Sequence, residues 1–221
     1  MTIPTDIPIP VSPDLASYLR ESTRAAHQDA EKRPLNRALA RGSISREAWV
    51  KHLEQLLLLH RALERRIDRS PRTDACWRTI ADPARRRTPD LEADLAFYGG
   101  SPAPAAGPAT QAALAAIESA TDDETIGMAY VIEGSTNGGR FLVRSLCRAL
   151  SLDPTTGGTR ALDPYGDAQP ERWSSFKAAL QAEPLDPERF DRIRRGADLM
   201  FGIVGDVADQ FWQEVPASDS I

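Results

Sequence analysis

Tyr130-Val-Ile-Glu-Gly-Ser-Thr-Asn-Gly-Gly-Arg-Phe-Leu142 is the stretch that decides the fold, because apolar residues at helical spacing continue on both sides of it. The pattern predicts one long helix from about Glu124 to Leu150. Gly134, Gly138 and Gly139 lie in its middle, and each costs roughly 1 kcal/mol relative to alanine. This cost indicates that another body approaches the backbone there. The glycines alone leave two alternatives open, a neighbouring helix or a flat ligand.

The composition is that of an ordinary globular protein, with 221 residues, 41% hydrophobic and 27% charged. We expect a flexible extension at residues 1–11, one helical domain over residues 12–214 and a tail at residues 215–221. No apolar run reaches the roughly 18 residues of a membrane span, and the first residues lack the positive region of a signal peptide. We therefore expect no membrane partner. The net charge of -5 argues against a general nucleic-acid binder.

The two cysteines, Cys76 and Cys147, show neither the spacing of a metal site nor a disulfide framework. This usage predicts a reduced, cytoplasmic protein.

Helical signals recur along the chain without a convincing strand pattern, which predicts an all-α fold of roughly seven to nine helices. We expect the first helix to begin at a Ser12 cap and to run to about Lys32. A further helix should begin at a Ser43 or Ser45 cap. Residues 151–170 are rich in Gly, Pro, Thr and Asp and read as a long loop. The other helices are expected near residues 35–40, 73–80, 90–98, 110–120, 170–181 and 186–214.

Only three histidines are available for imidazole chemistry. None has a glutamate three residues before it, which excludes the Glu-x-x-His pairs of di-iron bundles. His27 is read either as a surface histidine near a helix end or as a ligand. His52 and His60 lie at the apolar stripe of their helix and read as packing residues. A P-loop and a strand-associated Rossmann glycine set are absent from the sequence.

Two motifs together resemble the haem oxygenases. Residues 19–31 read L-R-x-x-T-x-x-x-H-x-x-A-E, which is similar to the first helix of that family. Residues 133–140 resemble its distal helix, with the core G-x-x-x-G-G. The variant E-G-S-T before the paired glycines looks most like the bacterial haem oxygenases encoded beside bacteriophytochromes. The resemblance extends from about Leu15 to Trp212 and implies a haem oxygenase-like single-domain, multi-helix fold.

The resemblance implies roles for individual residues. His27 matches the proximal ligand of the iron in haem b, and Glu31 matches the position that holds the other imidazole nitrogen. Glycines of the distal helix let its backbone lie flat over the haem. The catalytic residues implied are Gly134, Ser135, Gly138 and Gly139.

Further haem contacts are implied along the chain. Arg20 matches a basic residue facing a haem propionate, and Lys177 resembles a second propionate contact. Either could instead be a solvated charge. Phe201 matches a haem-packing phenylalanine, with a core role as the alternative. Tyr130 and Asn137 complete the predicted haem contacts.

The sequence also departs from the family. Many haem oxygenases carry an aspartate where this chain has Ser135, and Asn137 replaces a small or apolar residue. Proton delivery must then use another water network, involving Ser135, Asn137 or Arg140. A further propionate arginine of the family falls on Gln181, so that contact is either missing or supplied by Arg172.

The function implied is cleavage of haem to biliverdin, carbon monoxide and ferrous iron, with haem as both substrate and cofactor and dioxygen as co-substrate. Electrons would come from a ferredoxin or a flavoprotein reductase, because the sequence has no flavin or nicotinamide motif. A bacteriophytochrome is a candidate acceptor of the product. The alternatives are a non-catalytic haem carrier on the same fold and a thiaminase-like enzyme.

Overall fold

In the computed structural model, the chain is described over residues 14–184 and 186–214. The expectations for residues 1–11, for the Ser12 cap and for residues 215–221 lie outside the described residues. Within them the fold is all-α, as predicted, and contains no strand. The helices are α1 Leu15–Ser22, α2 Arg24–Lys32, α3 Pro34–Arg41, α4 Arg46–Asp68, α5 Ala75–Ile80, α6 Thr88–Tyr98, α7 Pro108–Ser119, α8 Asp122–Leu150, α9 Gln169–Gln181 and α10 Pro187–Glu214.

Short 3-10 turns at Pro83–Arg85 and Gly166–Ala168 complete the described secondary structure. No described helix combines the length and the apolar character that crossing a bilayer requires.

The predicted first helix is wrong in one respect, since it is two helices. Asp14 caps α1 by accepting a hydrogen bond from the backbone N–H of Ser17 at 2.8 Å. The chain leaves helical geometry at Thr23, where φ is -97° and ψ is 6°. The Thr23 hydroxyl donates to the Leu19 carbonyl at 2.7 Å, and this side-chain bond competes with the regular helix ladder. His27 therefore lies on a separate short helix, α2.

The other helix ends follow ordinary capping chemistry. Ser45 caps α4, and Gly42 ends α3 with a positive φ of 71°. A capping box between Thr121 and Glu124 begins α8, which continues through its glycines to Leu150 as predicted.

The centre of the fold is the crossing of α8 with α10. A Cβ added at Gly127 would lie 1.9 Å from the Ile193 carbonyl oxygen, and one at Gly196 would lie 2.0 Å from the Glu124 carbonyl oxygen. The two glycines thus let the helix backbones approach more closely than any side chain would allow. Ile126 and Ile193 are fully buried beside this crossing.

The long α4 packs against α6, α7, α8 and α10 and carries much of the core. Its residues Leu53 and Leu57 are fully buried, and so, nearly, are His52 and His60. Burial lowers the pKa of His52 to about 4, and burial together with the Arg87 charge lowers the pKa of His60 to about 3. Their predicted packing role is confirmed by this burial.

The segment between α8 and α9 is a loop, as predicted, and buried polar groups fix it to α6. The Asp94 carboxylate, fully buried, accepts backbone N–H bonds from Arg160 at 3.1 Å and Ala161 at 2.7 Å. The Tyr98 hydroxyl donates to the Gly158 carbonyl at 2.7 Å. These bonds satisfy loop backbone groups that would otherwise be costly to bury.

Candidate functional site

Both α2 and α8 pack against α10 and make few contacts with each other, and we refer to the region between them as the slot. A Cβ at Gly138 of α8 or at Gly202 of α10 would meet nothing within 4 Å. A Cβ at Gly134 would meet only the Trp173 ring, at 3.6 Å. The walls around these glycines are bare backbone, which leaves room for a flat group against the helices.

His27 lies on α2 with its side chain 60% exposed. Its ring packs edge-on against Phe201 of α10, with ring centroids 5.8 Å apart and an interplanar angle of 84°. The imidazole Nδ1 lies 3.8 Å from Oε1 of Glu31, a distance of ion-pair approach rather than of a hydrogen bond. Because Nδ1 is turned to Glu31, Nε2 is the nitrogen available to a metal.

Polar and aromatic side chains from three helices gather on the side of Gly134. The Tyr130 and Trp173 rings lie 5.8 Å apart, and the Lys177 ammonium lies 5.9 Å from the Trp173 ring centre. Burial raises the pKa of Tyr130, and the positive charge of Arg20 opposes that shift. Arg20 and Lys177 thus supply two cations near one end of the slot, which suits anionic groups on a ligand.

Gly139 has different surroundings from its neighbour Gly138. A Cβ at Gly139 would lie 2.3 Å from the Leu162 carbonyl oxygen in the loop between α8 and α9. The structure thus brings a loop, rather than a neighbouring helix, against Gly139, and the flat-ligand alternative stays a prediction at Gly134 and Gly138. Gly139 admits a neighbouring backbone segment, whereas Gly134 and Gly138 leave space open.

The polar residues predicted to replace the missing aspartate differ in their surroundings. The Ser135 hydroxyl is on an exposed residue and donates to the Ile132 carbonyl at 2.7 Å. The Asn137 amide is half-buried and bonded at both ends, to Gly134 and to Gln169. Arg140 is half-buried. Arg172 lies 3.4 Å from Asp82, and its guanidinium is therefore engaged by that carboxylate.

A buried polar cluster lies on α8 next to the open glycines. Glu133, 4% exposed, accepts hydrogen bonds from Arg85 and, at 3.0 Å, from the Tyr165 hydroxyl. Burial raises the pKa of Glu133, and the charge of Arg85 opposes the shift. Burial and the Glu133 charge raise the pKa of Tyr165 to about 12. A cavity of about 30 Å³ between Glu133, His60 and Phe176 has room for a single water molecule.

Several residues of the site were missed from the sequence. Glu133 is a carboxylate within an apolar helical run, and that signal could have marked it as paired and buried. Gly202 follows the predicted haem-packing Phe201, so a glycine in a buried helix was also a visible signal. Trp173 and Gln169 gave no local signal, because their contacts depend on how α9 packs.

The donor set of the slot fits a haem. Among residues 14–184 and 186–214, no three His, Cys, Asp or Glu side chains are grouped to hold a metal ion. A porphyrin supplies four ligands to its iron, so a single imidazole such as that of His27 would suffice to hold a haem. The bare backbone at Gly134, Gly138 and Gly202 accommodates such a plane. An all-α fold with one exposed histidine beside a glycine-lined slot defines a haem-binding helical protein.

The chain belongs to the haem oxygenase family, since the family model described as heme oxygenase matches residues 13–210. It is 26% identical over 202 residues to heme oxygenase 1 of Synechocystis sp., covering 87% of this chain and 82% of that relative. The chain is accordingly an oxidoreductase of the haem oxygenase type.

Solved structures show the same fold. The heme oxygenase-2 of Synechocystis sp., in complex with heme and NO, matches with a TM-score of 0.83 and 23% identity, over 94% of this chain and 88% of that one. The heme oxygenase-1 of Synechocystis sp., in complex with heme, matches with a TM-score of 0.81 and 22% identity, over 91% of this chain and 93% of that one.

Proposed function

We propose that haem b, iron protoporphyrin IX, binds in the slot with His27 Nε2 as the axial ligand of its iron. The observation that carries the proposal is the exposed imidazole, held edge-on against Phe201 at one side of a slot with bare glycine walls. Glu31 orients the imidazole through Nδ1 and favours the tautomer in which Nε2 is unprotonated.

Gly134 and Gly138 form the opposite wall in this proposal. Because they lack Cβ atoms, these glycines would let the α8 backbone approach the haem closely and leave room for a small ligand. Gly202 widens the slot beside Phe201. Gly139 acts indirectly, by letting Leu162 of the loop pack on α8.

The cations at the end of the slot set the orientation of the haem. Arg20 and Lys177 pair with the propionates, and Tyr130 and Trp173 pack against the adjoining edge of the ring. A porphyrin held in another orientation would place its propionates away from these two cations. Orientation of the ring in turn decides which meso bridge lies nearest the oxygen.

The chain cleaves haem to biliverdin, carbon monoxide and ferrous iron. When bound, haem iron activates dioxygen and the porphyrin itself is oxidised, so haem is the substrate as well as the cofactor. Neutral imidazole gives the iron less electron density than a thiolate does, which disfavours the O–O cleavage typical of P450 enzymes.

We infer that the electron donor, a ferredoxin or a flavoprotein reductase, docks on α8 just beyond the open glycines. Phe141 is 78% exposed, and Arg144 and Arg148 share its side of the helix at spacings of three and seven residues. Neither arginine forms an ion pair with a described residue, whereas Arg66, Arg72 and Arg189 do. An apolar side chain beside unpaired cations suits an acidic redox partner.

The phytochrome-associated subtype and the compartment are also proposals. The E-G-S-T sequence at residues 133–136 supports delivery of biliverdin to a bacteriophytochrome. Two buried, unbridged cysteines, Cys76 and Cys147, support a reducing, cytoplasmic setting.

Replacement of His27 tests the site directly. We expect His27→Ala to bind haemin at least 10-fold more weakly and to lose the axial-imidazole spectrum and turnover, because the other described histidines are buried. Absorption titration with haemin measures this. Addition of free imidazole should restore part of the spectrum. A His27→Ala protein with an unchanged spectrum would show that His27 is not the ligand.

A further inference from the structure

A chain of two amide hydrogen bonds connects the start of α9 to the open glycines of α8. Gln169, 2% exposed, donates from Nε2 to Oδ1 of Asn137 at 3.1 Å. Asn137 in turn donates from Nδ2 to the Gly134 carbonyl at 3.1 Å. The Asn137 amide nitrogen therefore lies in the turn between Gly134, which the Trp173 ring adjoins, and Gly138, beside which space is open.

These bonds fix which end of the Asn137 amide faces the glycines. A free asparagine can turn its amide by half a rotation and exchange its donor for its acceptor. Here Gln169 occupies Oδ1, so the donor end is held on the side of the Gly134 carbonyl. The Nδ2 group carries two hydrogens, and the Gly134 carbonyl uses one of them. The second hydrogen remains for a ligand.

Gln169 differs from a glutamine that serves packing alone. Its Oε1 atom is buried without a hydrogen-bond partner. Gln55, buried to a similar degree, uses both ends of its amide: it donates to the Ala105 carbonyl at 2.9 Å and accepts from the Gly107 N–H at 3.2 Å. A buried amide with one end unsatisfied is a poor way to stabilise a fold. This contrast points to a role for Gln169 in holding Asn137.

Ser135 does not fill the same role. Its hydroxyl hydrogen is given to the Ile132 carbonyl at 2.7 Å, within the helix. Asn137 is thus the polar side chain of the glycine-rich stretch whose amide keeps a hydrogen free beside the open glycines.

We propose that Asn137 is an oriented hydrogen-bond donor to a small anionic or dioxygen-derived ligand in the slot, and that Gln169 is its positioning residue. The inference rests on the proposed function, in which haem occupies the slot. A donor fixed before the ligand arrives stabilises negative charge without reorganisation. It would supply part of the polar assistance that a carboxylate at position 135 gives elsewhere in the family.

Fluoride binding to the ferric haem complex tests the inference, because fluoride is a small anion that accepts hydrogen bonds. Absorption titration with sodium fluoride at one pH gives the dissociation constant for each variant. Asn137→Leu and Gln169→Leu should each weaken fluoride binding about 3- to 10-fold, the range expected for one lost hydrogen bond. The double variant should be no weaker than Asn137→Leu alone, since both changes remove the same donor.

Gln55→Leu is the matched control, with the melting temperature of the haem-free protein as the second measurement. It should lower the melting temperature, because it leaves the Gly107 N–H and the Ala105 carbonyl unpaired, and it should leave fluoride binding unchanged. Gln169→Leu should weaken fluoride binding and leave the melting temperature unchanged.

Each contrary result has a separate meaning. Wild-type fluoride affinity in Asn137→Leu would overturn the donor role. A weakened Asn137→Leu with a wild-type Gln169→Leu would overturn the positioning role, as would a Gln169→Leu that loses only stability. Failure of the wild-type protein to bind haemin through a histidine would overturn the proposed function along with the inference.

Discussion

Gly138 and Gly139 are adjacent in the sequence and have different structural reasons to lack a side chain. Space is open beside Gly138, whereas the Leu162 carbonyl occupies the place of a Cβ at Gly139. In the proposed function, Gly138 forgoes helix stability to keep the haem-facing surface bare. Gly139 lets α8 receive the loop.

Alanine at each position separates the two roles. Gly138→Ala should stabilise the haem-free protein by about 0.5–1 kcal/mol through helix propensity, and should weaken haemin binding by placing a methyl group in the slot. Gly139→Ala should destabilise the haem-free protein by about 1–3 kcal/mol through overpacking against Leu162. Denaturant unfolding and haemin titration measure both effects. Equal stability changes for the two variants would refute the distinction.

The buried histidines predict how stability depends on pH. The folded pKa values of His52 and His60, about 4 and about 3, lie below the ordinary value of 6.5. The unfolded chain therefore takes up protons first, and stability is lost as pH falls from about 6.5 towards 3. Between pH 7 and 5 each histidine contributes a loss of about 2 kcal/mol, from 1.36 kcal/mol per pH unit.

A double variant isolates this effect. His52→Leu with His60→Leu should lose about 4 kcal/mol less than the wild type between pH 7 and 5, in denaturant unfolding measured at both values. Carboxylates titrate in both proteins and cancel in the comparison. The same pH slope in both proteins would argue against neutral burial of these histidines.

Residue chemistry explains how far the site could be predicted. His27, Glu31 and the glycines belong to contiguous motifs, so the sequence indicated them and the resemblance supplied their roles. Gln169 was missed because its partner, Asn137, is 32 residues away and is reached only when α9 docks. Trp173 was missed for the same reason.

The helices themselves were largely predictable, because caps and breakers are local signals. One of the two candidate caps, Ser45, marked the start of α4, and the apolar pattern marked the end of α8 at Leu150. The break at Thr23 was not predicted, since its side-chain bond to Leu19 interrupts an otherwise helical pattern. The Gly127–Gly196 crossing could not be inferred either, because it depends on two helices far apart in sequence.

The loop between α8 and α9 illustrates the difference between composition and packing. Its Gly, Pro, Thr and Asp residues predicted a long loop. The structure places this loop between α6, through Asp94, and α8, through Gly139. The loop therefore connects α6 to α8, the helix that carries Gly134 and Gly138.

Asp94→Ala should weaken the attachment of this loop to α6. The change leaves the N–H groups of Arg160 and Ala161 without their acceptor, and we expect a loss of about 1–3 kcal/mol. Hydrogen exchange should increase across residues 158–163. Glu92→Ala is the control on the same helix, because Glu92 is an exposed partner of Arg61 and should contribute less than about 1 kcal/mol. Unchanged hydrogen exchange in Asp94→Ala would show that Asp94 does not hold the loop on α6.

The whole molecule is acidic, with a net charge of -5. Some of its arginines nevertheless form no ion pair with a described residue. Arg66 and Arg69 form ion pairs on the surface of α4 and its end, whereas Arg144 and Arg148 beside Phe141 do not pair with described residues. The local charge next to the slot is thus opposite in sign to the net charge. Such an arrangement would suit the acidic electron donor proposed above.

Charge reversal tests the proposed docking face. Arg144→Glu with Arg148→Glu should slow reduction of bound haem by an acidic ferredoxin about 10-fold at low salt, and the difference should shrink near 1 M salt. Arg65→Glu with Arg195→Glu makes the same change in net charge at two exposed arginines that form no ion pair with a described residue, and it should have a smaller effect. Stopped-flow absorbance measures the rates. Equal slowing of haem reduction in both double variants would show that net charge, rather than docking beside Phe141, causes the effect.

The most direct test of the central claim is the absorption spectrum of the haemin complex during reduction in air, with catalase present to remove free peroxide. A haem oxygenase in which His27 and the glycine-lined slot act as proposed should lose its Soret band. A broad absorbance in the red should replace it, and biliverdin should be recovered by chromatography. A Soret band that persists under continued reduction would contradict the claim and favour a haem carrier on the same fold.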